Sequence, residues 1–95
     1  MYARNVTAQT SPDVLDEAIQ LWKESVAPTT KEQKGFKGAY LFVDRSTGKI
    51  RSIGLWETQA DLLASVGWNQ EQVGKFASFF NTPATIELYE VAAEA

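Results

Sequence analysis

Two side chains that carry much of enzyme chemistry are missing: the chain has no cysteine and no histidine. Without cysteine there are no disulfides, no thiolate nucleophiles and no zinc–sulfur sites. Without histidine the commonest general base, the commonest haem and zinc ligand, and every Ser-His or Cys-His dyad are excluded. Long apolar runs are missing too. The longest, "AYLFV", has five residues, far short of a membrane span, and "MYARNVTAQT" lacks the apolar stretch of a signal peptide. No run of lysine or arginine occurs, net charge is −3 and the pI is near 4.8. The expectation is a cytoplasmic protein with neither nucleic acid nor membrane as a partner.

What is present fits one globular domain over residues 1–95, with 44% apolar and 22% charged residues. A chain this short buries roughly 60–70% of the surface its unfolded form exposes, so a partner subunit would help. "MYARNVTAQ" alternates Tyr2, Arg4, Val6 and Ala8 with Ala3, Asn5, Thr7 and Gln9, the pattern of a short strand. Ser11, Pro12 and Asp13 suit a helix start. Val14, Ala18, Trp22 and Val26 then recur at helical spacing, and Pro28 is expected to end the helix. "FKGAYLFVDR" and "KIRSIGLWE" read as a hairpin around the turn "DRSTGK". A short helix follows, capped by Thr58 with Asp61 in the capping-box position and stopped by Gly67. A second helix is expected from Asn69 as cap and Gln72 as box residue, with a Val73, Phe76, Ala77, Phe80 stripe. "ATIELYEVA" is a last strand.

The order is β-α-β-β-α-β, an α+β, ferredoxin-like plan with a four-stranded antiparallel sheet and its helices on one face. Both alternating faces of the strands carry apolar residues: Phe36, Tyr40 and Phe42 against Ala39, Leu41 and Val43, and Ile50 and Trp56 against Ile53 and Leu55. A sheet with one face in water does not look like that. A homodimer packed sheet on sheet is expected.

The run "KGFKGAYLFVDRSTGKIRSIGLWETQADLLAS", with "YARNV" before it and "ELYEV" after it, resembles the antibiotic-biosynthesis-monooxygenase-like group of dimeric α+β barrel proteins. Its most characteristic parts are "GFKG", the "D-R-x-T-G-K" hairpin and "LWET". The resemblance implies the homodimeric α+β barrel and a cavity between the sheet and the helices of each subunit. It also implies a range of activities: cofactor-free monooxygenases of quinol-like aromatics, haem-degrading enzymes and members of unknown role. In the haem-degrading branch an asparagine on the first strand, a tryptophan ending the third and a histidine on the next helix form the site. Asn5 and Trp56 match the first two. The third falls near Val73 or Gly74, and with no histidine that haem ligation is excluded. The cofactor-free branch uses asparagine, tryptophan, tyrosine and arginine, and Asn5, Trp56, Trp68 and Tyr40 match much of that set. No arginine is placed.

On the assumption that Asn5 and Trp56 both face the helices, Ala3, Asn5 and Thr7 share a face with Ser52, Gly54 and Trp56, and with Phe36, Gly38 and Tyr40. Small residues stand at its centre and rings around it, which suits a flat apolar ligand. Asn5, Trp56 and Tyr40 are then the catalytic candidates, and Trp68, Phe36, Phe76 and Gly54 the substrate-binding ones, with no cofactor and no metal. Trp56 is equally readable as core, Trp68 as packing at the helix break, Phe76 as helix-stripe core, and Asn5 as a structural hydrogen-bonding residue. Arg4, Arg51 and Glu57 are expected to point away, to the dimer contact or the surface. The functional expectation is a cofactor-independent monooxygenase of a small cyclic aromatic or quinol-like compound. The alternatives are a non-catalytic module that binds a small aromatic, a dimeric scaffold with a filled core, and an isomerase of small lactones.

Overall fold

The structure, a computed structural model, describes residues 1–95. Strands β1 (Tyr2–Gln9), β2 (Phe36–Val43), β3 (Lys49–Trp56) and β4 (Thr85–Glu90) form one antiparallel sheet in the order β2-β3-β1-β4. Between β1 and β2 run α1 (Leu15–Leu21) and α2 (Ala27–Thr30); between β3 and β4 run α3 (Gln59–Ala64) and α4 (Val66–Lys75). This is the ferredoxin-like α+β arrangement expected from the sequence.

The register decides which side chains meet the helices. Tyr2 pairs with Trp56, Arg4 with Gly54, Val6 with Ser52 and Ala8 with Ile50, so these residues share one face. On β2 the same face carries Ala39, Leu41 and Val43, opposite Gly54, Ser52 and Ile50. Ala8, Leu15 and Ile50 form a small buried cluster there, with Val43, Phe80 and Ala84 packed against it. Thr10 closes one end: its amide and hydroxyl both donate to the Gly48 carbonyl, at 3.0 and 2.6 Å. The hairpin turn is held by Asp44, whose carboxylate accepts from the amide and hydroxyl of Ser46 at 2.9 and 2.7 Å, and by Gly48 at φ 81°.

Three helix boundaries differ from expectation. Pro28 does not end its helix: a π turn over Trp22–Val26 joins α1 to α2. Widening the turn removes the need for the amide that proline lacks. Ser11 stands at the predicted start, but its hydroxyl makes no capping bond. Thr58 caps α3 as expected, accepting from the Asp61 amide at 3.1 Å. Gly67 and Asn69, read as stop and cap, lie inside α4, which begins only one residue after α3 ends. Asn69 and Gln72 are therefore interior helix residues, and both are buried.

Candidate functional site in the cleft between sheet and helices

The helix-facing side of the sheet is not filled. A cleft of about 450 Å³, counted out to its open mouth, is bounded below by Val6, Ala8, Leu41, Ile50 and Ser52. Trp22 and Val26 from the π turn, Asn69, Gln72, Val73 and Phe76 from α4, and Phe80 close it above. A second compartment, enclosing about 30 Å³ and reaching about 290 Å³ counted out to its mouth, adjoins it and shares Val6, Val26, Ser52 and Asn69. Arg4, Thr30, Ala39, Gly54, Trp56 and Trp68 complete its wall. The outer compartment is mostly apolar; the inner one holds more of the polar groups.

Arg4 is the one charged residue lining either compartment, and only 3% of it is exposed. Its guanidinium donates through Nη2 to the Leu62 carbonyl at 3.0 Å and to Ser65 Oγ at 2.7 Å. Its Nη1 is buried with no partner. No carboxylate pairs with it: the two ion pairs in the structure, Lys37–Glu57 at 3.6 Å and Arg45–Asp16 at 3.0 Å, are on the surface. Burial therefore lowers the Arg4 pKa to about 10, since desolvation disfavours the charged form. The guanidinium carbon lies 4.8 Å above the Trp56 ring, an attractive arrangement that strengthens when water is excluded.

The tryptophans have three different environments. Trp22 Nε1 donates to Ser52 Oγ at 3.1 Å and Trp68 Nε1 to Thr29 Oγ1 at 3.0 Å. Trp56 is 2% exposed, and its Nε1 is buried without a partner. Trp56 also packs edge-on against Phe36, with centroids 6.1 Å apart. Gly54 makes room for the ring: a Cβ there would lie 2.5 Å from Trp56 Cζ3. From α4, Gln72 Oε1 accepts from Ser25 Oγ at 2.8 Å, and Ser25 Oγ accepts from Lys75 at 3.0 Å.

Of the residues singled out from sequence, Trp56, Gly54 and Trp68 meet in the inner compartment and Phe76 lines the outer one. Phe36 touches the site through Trp56. Asn5 and Tyr40 do not join them. Asn5 pairs with Ile53, and Tyr40 pairs with the same residue from the other side, which places both on the open face of the sheet. The expected common face of Asn5 and Trp56 is corrected by the register: Trp56 lies opposite Tyr2, and odd-numbered residues of β1 point away from it. A register irregularity between Phe36 and Gly38 likewise separates Phe36 from Gly38 and Tyr40. Arg51 and Glu57 are exposed as expected, but Arg4 is turned inward. Arg4, Asn69 and Gln72 are the residues that sequence reasoning missed.

A sequence model of the antibiotic biosynthesis monooxygenase family matches residues 1–70. The chain belongs to that family. Two uncharacterized proteins of Mycobacterium tuberculosis, Rv2557 and Rv2558, are 31% and 30% identical to it over 98% and 97% of its length. The chain spans only about two-fifths of those relatives, 42% and 39%. Among solved structures, the monooxygenase from the gene ActVA-Orf6 of Streptomyces coelicolor, in complex with the ligand nanaomycin D, superposes with a TM-score of 0.81 at 14% identity. That match covers 99% of this chain and 89% of that one. Rv0793 from Mycobacterium tuberculosis superposes with a TM-score of 0.75 at 14% identity over 99% and 97% of the two chains. At these identities the likeness is one of fold.

No helix of this family member is long and apolar enough to cross a membrane. No group of three or more histidine, cysteine, aspartate or glutamate side chains comes together to hold a metal ion.

Proposed function

We propose that this chain is a cofactor-independent monooxygenase that holds a small cyclic aromatic or quinol-like substrate between sheet and helices. The observation that carries the reading is the composition of the cleft: apolar walls from both layers, with Arg4, Thr30, Asn69 and Gln72 the few buried polar residues along them. Most of the cleft volume is mouth and little of it is enclosed, so a ring system enters as α4 and the π turn move apart.

The chemistry requires little from the protein. A ring CH₂ between arenes, or a quinol carbon, reacts with O₂ once a proton is lost and the ring becomes electron-rich. For the CH₂, CH₂ plus O₂ gives C=O plus H₂O; for the quinol, quinol plus O₂ gives hydroxyquinone plus H₂O; in both, all four electrons come from the substrate. No carboxylate, tyrosine or histidine lines the cleft. The proton is therefore given up to water, and the protein favours its loss by stabilising the anion that remains. Arg4 is the group able to do this, with Trp56 positioning the ring and Asn69 and Gln72 orienting its oxygens. Trp68 and Phe76 wall the ring, and the small Gly54 sets the depth of the site.

The subunit works as a homodimer packed sheet on sheet. On the open face Tyr40 and Phe42 stack with centroids 6.2 Å apart, and both are more than half exposed. Ile53, Leu55 and Tyr89 share that face. Asn5 and Tyr40 belong to this contact rather than to the reacting centre.

A second reading, a module that binds the aromatic without turning it over, is favoured by the lack of a base in the cleft. Oxygen uptake separates the two. With a panel of anthrones and naphthoquinols, the enzyme consumes one O₂ per oxygenated quinone formed, and Val6→Phe, which puts a ring where the two compartments share a wall, abolishes uptake. Tight binding with uptake no faster than without protein establishes the second reading instead.

A further inference from the structure

Every buried polar group needs a partner, and a buried charge needs a counter-charge or its equivalent. Arg4 has neither in full. Two acceptors, Leu62 O and Ser65 Oγ, take Nη2, while Nη1 is buried and unpartnered. The indole stacked beneath it is unpartnered as well, at Trp56 Nε1. Both orphaned atoms are hydrogen-bond donors, both side chains line the inner compartment, and no acidic residue does. A buried water would satisfy one N–H but supplies no charge. What the site lacks is an acceptor that is also negative.

We infer that Arg4 and Trp56 form an anion subsite at the inner end of the cleft, which selects ring compounds bearing an ionised oxygen. This rests on the cleft being the ligand site, as proposed above. The apolar outer compartment takes the ring, and the shared wall of Val6, Val26, Ser52 and Asn69 leads its oxygen to Arg4. The pair is a good match for a delocalised oxyanion. Guanidinium gives a charged donor in a fixed plane, and the indole N–H donates without offering an acceptor that would repel the anion. The lowered Arg4 pKa of about 10 leaves the group charged at neutral pH, so the missing charge is not removed by deprotonation. A ring-bound carboxylate and a ring-bound enolate or phenolate share this chemistry.

Isothermal titration at neutral pH with two matched pairs tests the inference: 1-naphthoate against 1-naphthalenemethanol, and 2-hydroxy-1,4-naphthoquinone, an enolate at this pH, against its neutral 2-methoxy ether. Wild type prefers the anion in at least one pair by about ten-fold or more, the size of a charge-assisted hydrogen bond. The pair that shows the preference identifies carboxylate or enolate as the ligand group. Arg4→Met loses the preference, while Arg4→Lys retains part of it. Equal wild-type affinities within both pairs overturn the anion subsite and leave the cleft standing, and they do so whether or not the variants fold. A preference that survives in folded Arg4→Met also overturns it. Failure of all four compounds to bind overturns the cleft reading itself and the subsite with it.

Discussion

The ring of Trp56 leans across Gly54 to lie beneath the guanidinium of Arg4, 4.8 Å from ring centroid to guanidinium carbon. Gly54 is the β3 residue paired with Arg4 across the ladder. Only a residue with no side chain there lets an indole from two positions further along reach the arginine. The cation, the ring beneath it and the gap between them are thus set by one strand register.

Arg4 is held at a cost to the stability of the fold. Removing a buried, uncompensated charge relieves a desolvation cost. It also leaves no orphaned acceptor, because Ser65 Oγ donates to Leu62 O at 2.7 Å on its own. Arg4→Met is expected to be as stable as wild type or more stable by about 1–3 kcal/mol, measured by urea unfolding. A loss of more than about 1 kcal/mol would mean that Arg4 is a structural residue held for its hydrogen bonds.

Gly54→Ala is expected to do the reverse. The new methyl would occupy the space of Trp56 Cζ3 and Cη2, and Trp56 is too buried to swing away freely. Overpacking of this kind costs about 1–3 kcal/mol, and the shifted ring uncouples from Arg4. Lowered stability together with a changed near-ultraviolet circular dichroism is the expected result. A variant with wild-type stability and spectrum would show that the ring has another place to go.

The pH dependence has a defined sign. The folded-state pKa of Arg4 is depressed to about 10, so above that pH the folded protein holds fewer protons than the unfolded one. Folding stability attributable to Arg4 therefore rises as pH climbs past about 10, and below that the penalty is constant. The stability difference between Arg4→Met and wild type should be flat through neutral pH and shrink above pH 10. A difference that grows at high pH would contradict the burial argument.

Phe42 tests the open face. It is half exposed, stacks with Tyr40 and lies opposite Arg51. Phe42→Lys places a second cation there and leaves the helix side of the sheet untouched. Light scattering is expected to give a dimer for wild type and a folded monomer for the variant. A wild-type monomer at micromolar concentration would remove the sheet-on-sheet contact from the account.

Strand order and the hairpin were legible because alternation and turn chemistry are local. The inward face of β1 was not legible: Tyr2, Arg4, Val6 and Ala8 alternate with Ala3, Asn5, Thr7 and Gln9, and neither set is cleanly apolar. Family resemblance at Asn5 pointed to the second set, and the ladder turned the first set, Arg4 included, toward the helices. Asn69 and Gln72 carried a misleading signal, since asparagine followed three residues later by glutamine is also how a helix begins. Their burial depends on α4 starting one turn earlier, at Val66, against the pull of Gly67. Pro28 misled because a π turn can absorb a proline, and nothing local announces one.

The ligand enters on the helix-facing side of the sheet or on the open one, and the cleft reading requires the first. The most direct measurement is a two-dimensional ¹⁵N–¹H spectrum titrated with 2-hydroxy-1,4-naphthoquinone, with the three indole resonances assigned from Trp→Phe variants. The cleft reading predicts that the Trp56 indole N–H shifts most, with the amides of Asn69 and Ser52, while Asn5, Tyr40 and Phe42 stay where they are. Shifts concentrated at Asn5, Tyr40 and Phe42, with the Trp56 indole unmoved, would place the ligand on the open face and contradict the central claim.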